Sequence, residues 1–405
     1  MAHDRDEVSP AVLQPFWSAG VDDRLRAFAA MRARSGGVAH HRDERGTGCW
    51  SVTSHAAVAE VSRDPATYTS TAGFSLDDFP RDVLDVMASI IAMDDPRHGR
   101  QRRLVQSAFS PRAIRRLTAS VESLTDAIVD ELRDAQDFDF VSAVGGRLPL
   151  QVICDLLDVP AGDRPRLRAW INGILGVDDP EFGGPEQSLA SLLALYEYAI
   201  DLGKQRLAAP GDDITSVLVH AEIDGHRLTP DEFASFVILL VSAGNDTTRT
   251  ALTWGMKLLS DHPDQKRLLA EDFDAREANA IDEILRWCSP ALHMRRTATV
   301  DTVLGGQPIA KGDKVVLWYL AANHDDAVFA DPDAFDVLRP NARDHIAFGA
   351  GGPHFCLGSH LARMEMRVVL RKLLSAFPDM HTTAEPDLLV SPFVHTIKAL
   401  PCATG

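Results

Sequence analysis

Cysteine is scarce, with five in 405 residues and no CxxC pair among them. That excludes a disulfide framework and a zinc ribbon, and fits a reducing, cytoplasmic setting. Positive charge is in deficit. Lys and Arg total 41 against 58 Asp and Glu, a net charge of −17, which argues against nucleic acid or an anionic membrane as the general partner. Long hydrophobic runs are missing too. The most apolar stretch, residues 233–244, is interrupted by Ser235 and Ser242 and is about half the length a membrane helix needs. Residues 1–10 carry Asp4, Arg5, Asp6 and Glu7 with no apolar segment, so neither a secretory signal nor membrane insertion is expected. There is no internal repeat, low-complexity tract or long Pro/Gly/Ser linker. Residues 1–14 therefore read as a flexible amino terminus, and 15–405 as one unusually large domain.

What is present is mostly helical. The pattern is helical over 97–133, with a break at Ser110-Pro111, and again over 189–207, 277–288 and 357–377. Short β texture occurs at 46–53, over 299–319 and at 393–400, where Val clusters alternate with glycine turns. The expected class is mainly α, a large helical domain with a minor β region. The best-delimited helix starts at Thr229-Pro230-Asp231-Glu232, a capping box with proline at the first helical position, and runs to about Ser260. It is apolar nearly all round and so belongs in the middle of the molecule. Its centre reads Ala243-Gly244-Asn245-Asp246-Thr247-Thr248. Glycine and a buried carboxylate are both costly there, and a Thr247 hydroxyl bonding back to Ala243 loosens a helix. A break that opens a pocket wall is the expectation.

Cys49, Cys154, Cys288 and Cys402 sit in apolar or terminal contexts and read as small core residues. Cys356 differs. It follows Phe348-Gly349-Ala350-Gly351-Gly352-Pro353-His354-Phe355 and precedes Leu357-Gly358 and a long helix. Three glycines in four residues permit close approach to a ligand, and the helix start favours an anionic sulfur. Such a cysteine is a nucleophile or a metal ligand. Zinc requires more Cys or His nearby than His354 alone, and a nucleophile requires a histidine base from elsewhere.

FGAGGPHFCLG resembles the haem-binding loop of the cytochromes P450, and AGNDTT resembles their oxygen-activating helix motif. Glu283-Ile284-Leu285-Arg286 matches the family's ExxR pair. Glu60 to Arg63 matches as well, but only Glu283 and Arg286 lie between the central helix and the cysteine loop, with Arg339 following as third member of the network. His98 and Arg102 match the HxxxR segment. One departure stands out: Phe348 lies eight residues before Cys356, one more than the family pattern. With the closing SPFVHTIKALP, that longer loop resembles an actinobacterial subset oxidising steroids and methyl-branched lipids.

The resemblance implies the P450 fold and haem b, with the Cys356 thiolate as axial iron ligand. It implies His98, Arg102, Arg296 and His354 around the propionates, and Ala243, Phe348, Gly349 and Gly358 as further haem-binding residues. Thr247 and Asp246 would handle protons, and Gly244 would widen the helix to admit O2. Ferredoxin and ferredoxin reductase would supply two electrons, because the chain has no flavin fingerprint or iron–sulfur cysteine set. Arg100, Arg102, Arg103, Arg112, Arg115 and Arg116, then Arg363, Arg367, Arg371 and Lys372, are candidates for the docking patch. A small hydrophobic substrate would meet Phe74, Phe79, Met87, Ile91 and Trp170 from the lids and Leu239 and Leu240 from the central helix. Leu292, Met294, Phe393 and Val394 would complete that wall. The implied reaction is hydroxylation of a steroid, branched lipid or natural-product scaffold. The alternatives are peroxide-driven or coupling chemistry, or a haem-binding protein without turnover.

Overall fold

The structure, a computed structural model, describes residues 14–42, 48–78, 80–87, 89–108, 111–222 and 225–405. Helices make up most of it. Helix Pro230–Asp261 crosses the middle and packs against Leu148–Leu157, Gly184–Ala208, Phe273–Cys288 and Ser359–Ala376. Its capping box is formed: Thr229 Oγ1 accepts from the Glu232 N–H at 3.1 Å, and Glu232 Oε2 accepts from the Thr229 N–H at 3.1 Å. Apolar residues on nearly every face, from Phe233 to Leu259, are buried in the largest core cluster.

This helix is continuous, which corrects the expected break. Residues 243–248 are all helical, although the Thr247 hydroxyl does donate to Ala243 O at 2.5 Å. Gly244 has a packing reason as well: a Cβ there would lie 2.8 Å from Ile153 Cδ1, so glycine lets helix Leu148–Leu157 approach closely.

Helices Arg97–Ala108 and Pro111–Leu132 lie on either side of the break expected at Ser110-Pro111, and residues 109–110 are outside the described residues. Helix Phe273–Cys288 starts four residues before the expected 277, because Asp272 caps it by accepting from the Ala275 N–H. The β region centres on a five-stranded sheet in the order Val38–Arg42, Gly48–Val52, Lys314–Trp318, His293–Ala298, Tyr68–Thr69. Strand His293–Ala298 falls before the β texture noted in the sequence. The final strand expected over 393–400 is instead two short ones, Ile397–Ala399 and Pro401–Ala403. No helix among the described residues is long and apolar enough to cross a membrane.

The sheet positions the cysteine loop. Val52, Val315 and Leu317 pack with Val58 and Val61 of helix His55–Arg63, and with Ile346 and Ala350 of the loop. Gly349, Gly351 and Gly352 adopt φ of +91°, +90° and +76°, a region that side chains rarely enter. A Cβ at Gly352 would sit 2.1 Å from Ser62 O. The lengthened loop is therefore seated on the end of that helix, where Arg63 Nε donates to Ala350 O at 3.1 Å. Gly352→Ala is expected to cost about 2–4 kcal/mol from strain and overlap. Thermal melting and haem content should fall together; a variant with wild-type values would contradict this seating.

Candidate functional site

One cavity gathers most of the residues singled out by sequence. Cys356, Phe348, Gly349, His354 and Gly358 reach it from the loop, and Ala243, Gly244, Thr247 and Thr248 from the central helix. Arg102 and Arg296 also line it, as do Ile91, Leu239, Leu240 and Met294 of the expected substrate wall.

Strand alternation explains Arg296. Successive side chains point to opposite faces. Arg295 is therefore paired with Asp78 on one side, while Arg296 lines the cavity and donates to Arg295 O at 2.7 Å. Arg102 donates to Phe355 O at 2.6 Å. His98 stacks on His354 with ring centroids 4.4 Å apart, and its buried Nε2 has no hydrogen-bond partner. His354 Nε2 meets Ser70 Oγ at 3.1 Å. Burial first, then the charges of Arg296, His98 and Arg102, holds the His354 imidazole down at about 2. Two guanidiniums and the His354 imidazole thus crowd one side of a mostly apolar cavity, with the His98 ring packed behind. Such a cluster calls for anionic partners, and the two propionates of haem b fit it.

The loop suits an axial ligand. The Cys356 N–H donates to Phe348 O at 2.9 Å, closing the loop beneath the sulfur. Burial raises the Cys356 thiol, and the N–H groups of Gly358 and Ser359 with Arg102 and Arg363 oppose it. The helix start therefore does not by itself make a thiolate. A cation at the sulfur is needed, and the iron of haem supplies one. Among the described residues, no group of three or more His, Cys, Asp or Glu side chains is disposed to hold a metal ion.

Glu283, Arg286 and Arg339 form a buried network. Arg286 Nε and Nη2 donate to Glu283 Oε2 and Oε1 at 2.7 and 2.9 Å, and Arg339 Nε reaches both oxygens at 3.0 Å. Arg286 Nη1 also donates to Asn323 O and Pro332 O, each at 2.8 Å. The other ExxR match forms no such pair, since Arg63 turns to the cysteine loop.

Asp246, expected to relay protons from the solvent side, stands off the cavity, buried on a flank of the helix and paired with Arg249 at 2.9 Å. Several substrate-wall and docking expectations need correcting. Leu292 is fully buried beside Phe16, Trp17 and Trp318, which makes it core. Trp170 faces away, packed on Tyr198 under the Arg166 guanidinium. Val394 is buried in a bridge to Ala291. Phe74, Met87 and Phe393 form a second layer behind Ile91 and Met294. Phe79 lies outside the described residues. The arginine stripe is largely neutralised: Arg363 pairs with Asp282, Arg371 with Asp274 and Lys372 with Asp126, while Arg367 is exposed. Arg100 meets His226, Arg102 turns inward, and the side chains of Arg112, Arg115 and Arg116 lie outside the described residues.

Sequence reasoning missed Ile90, Phe236 and Tyr319, which line the cavity, and Glu365. Glu365 projects from helix Ser359–Ala376 onto the cavity; it is buried, its Oε2 has no partner, and burial raises its carboxyl to about 8. The folded state then holds a proton that the unfolded chain releases near 4.5, so this residue opposes folding increasingly as pH rises from about 4.5 to about 8. Glu365→Gln should melt progressively higher than wild type across that window, with the gap constant above it. Parallel melting profiles would contradict a buried neutral acid.

The family model for cytochrome P450 matches residues 202–396. A methyl-branched lipid omega-hydroxylase of Mycobacterium tuberculosis is 41% identical over 95% of this chain and 92% of its own length. A steroid C26-monooxygenase of Rhodococcus jostii is 39% identical over 87% of this chain and 74% of its own length. A Mycobacterium marinum cytochrome P450 solved in complex with pseudoionone superposes with a TM-score of 0.91 at 37% identity, covering 96% of this chain and 97% of that one.

Proposed function

This chain belongs to the cytochrome P450 family, a haem- and O2-dependent monooxygenase acting on hydrophobic substrates, and from that premise we propose that it hydroxylates the terminal methyl of a branched alkyl chain. The substrate would be a methyl-branched lipid or a steroid side chain. The observation that carries this reading is the division of the cavity. Its cations, Arg102 and Arg296, lie on one side together with the His354 imidazole, and His98 packs behind that ring. Ile90, Ile91, Phe236, Leu239, Leu240 and Met294 carry no charge with which to receive a polar head group. An alkyl end buries there at a gain of about 0.8 kcal/mol per CH2, while a charged head group stays at the mouth.

When bound, haem supplies the activation of O2 and the oxidation of the C–H bond. The chain's own residues do the rest. Cys356 would hold the iron through sulfur, Arg102 and Arg296 would compensate the propionates, and His98 and His354 would help to orient them. Thr247 Oγ1, on the cavity wall, passes a proton inward, and Asp246, on the adjoining flank of the helix, relays its replacement from solvent. The Leu239–Ala243 face excludes water from the alkyl chain. Electrons come from a ferredoxin and its reductase. The five cysteines are scattered at 49, 154, 288, 356 and 402, without the spacing of an iron–sulfur ligand set.

Spectral titration of the ferric holoenzyme tests the substrate class. Branched fatty acids and sterols with a free alkyl side chain should shift the iron spin state at micromolar concentration, and product analysis should show a primary alcohol. A shift only with compact polar scaffolds, or oxidation at a ring carbon, would overturn the proposal.

A further inference from the structure

Both oxygens of Asp246 are engaged. Oδ1 accepts from Arg249 at 2.9 Å, and Oδ2 accepts from the Thr396 hydroxyl at 2.5 Å, across 150 residues of sequence. The Thr396 oxygen also lies 3.0 Å from Thr250 Oγ1. Thr250 is four residues after Asp246, so the two share one flank of the helix, and Thr396 bridges them. At about 100° per residue, that flank lies between the cavity face of Thr247 and the opposite face, which carries Ser242, Asn245 and Arg249. On that opposite face Ser242 Oγ, Asn245 Oδ1 and Arg249 Nε are buried without partners, and Arg249 Nη1 reaches Asn172 Oδ1 at 3.4 Å. Buried polar atoms of this kind are satisfied by ordered water.

We propose that Thr396 is a positioning residue for proton delivery: together with Arg249 it fixes the Asp246 carboxylate, and its hydroxyl joins Asp246 to Thr250 on the flank leading to the cavity. The inference rests on the reading of Asp246 and Thr247 as the proton-handling pair. A hydroxyl both donates and accepts, so Thr396 can hold Asp246 and receive a hydrogen bond from Thr250 at once. The segment bearing it also touches the substrate side. Phe393, three residues earlier, packs on Phe74 with ring centroids 5.9 Å apart, in the layer behind Ile91 and Met294. Val394 bridges to Ala291, which lines the cavity.

Thr396→Val removes the hydroxyl while keeping the shape, and Thr396→Ser keeps the hydroxyl. Infrared spectra of the ferric holoenzymes identify the Asp246 carboxylate band as the one absent from Asp246→Asn. Thr396→Val should shift that band and Thr396→Ser should leave it in place. With a methyl-branched fatty acid as substrate probe, Thr396→Val should raise hydrogen peroxide per NADH and the solvent deuterium isotope effect. The rise should approach about tenfold, the rate equivalent of one charge-assisted hydrogen bond, with Thr396→Ser near wild type. An unmoved band, a valine variant that couples as well as wild type, or a serine variant that behaves like valine would each overturn the proposal. Absence of turnover in every form including wild type would count against the substrate class, and the infrared comparison would then decide the positioning of Asp246.

Discussion

Glu283→Ala is expected to yield a chain that accumulates poorly and holds no haem. Glu283 and Arg286 have no solvent exposure, and Arg339 is 5% exposed. One carboxylate receives two guanidiniums and also the Asp336 N–H at 3.1 Å. Removing it leaves two buried cations without a counter-charge. Breaking a single buried pair costs about 3–5 kcal/mol, and total stability is about 5–15 kcal/mol. The network also sets the approach to the cysteine loop. Asn323, whose carbonyl accepts from Arg286, accepts through its own Oδ1 from the Ile346 N–H at 2.8 Å, two residues before Phe348. Soluble yield and haem per chain are the measurements, and Glu283→Gln, which keeps an acceptor oxygen, should fall between alanine and wild type. A folded, haem-replete alanine variant would show that the triad is dispensable.

Thr247→Ala is expected to bind substrate as wild type does and to divert electrons into hydrogen peroxide. Thr247 is a hydroxyl-bearing side chain of the central helix on the cavity wall, and its hydroxyl donates to Ala243 O. Alanine removes the group that presents a proton there while leaving the apolar wall intact. Positioned proton donors contribute about 10²–10⁴-fold, so product per NADH should fall at least tenfold with spectral binding affinity unchanged. Thr247→Ser should retain coupling. Unaltered coupling in the alanine variant would remove Thr247 from proton handling.

The parts legible in sequence are those encoded locally. A capping box dates the start of the central helix, Pro111 marks the helix break, and three left-handed glycines around Cys356 announce a cradle. The order of motifs separates Glu283-Arg286 from the decoy at Glu60. Contacts between distant segments were not legible. Thr396 reaches Asp246 across 150 residues, and nothing near either residue announces the other. Leu292 was placed in the pocket although Trp17 and Trp318 enclose it, because an apolar residue after the ExxR helix suits either location. The arginine stripe at 363, 367 and 371 has the spacing of a docking face, yet Asp282 and Asp274, from another helix, neutralise its ends. Gly244 has the sequence signature of a helix defect, and its packing role depends on Ile153, a residue of another helix.

The central claim is that the Cys356 sulfur is the axial ligand of haem iron. The reduced holoenzyme should give the carbon monoxide difference band characteristic of thiolate-ligated haem, and Cys356→Ala should lose that band whether or not it retains haem. A thiolate-type band surviving in Cys356→Ala, or its absence from the haem-replete wild type, would contradict the account.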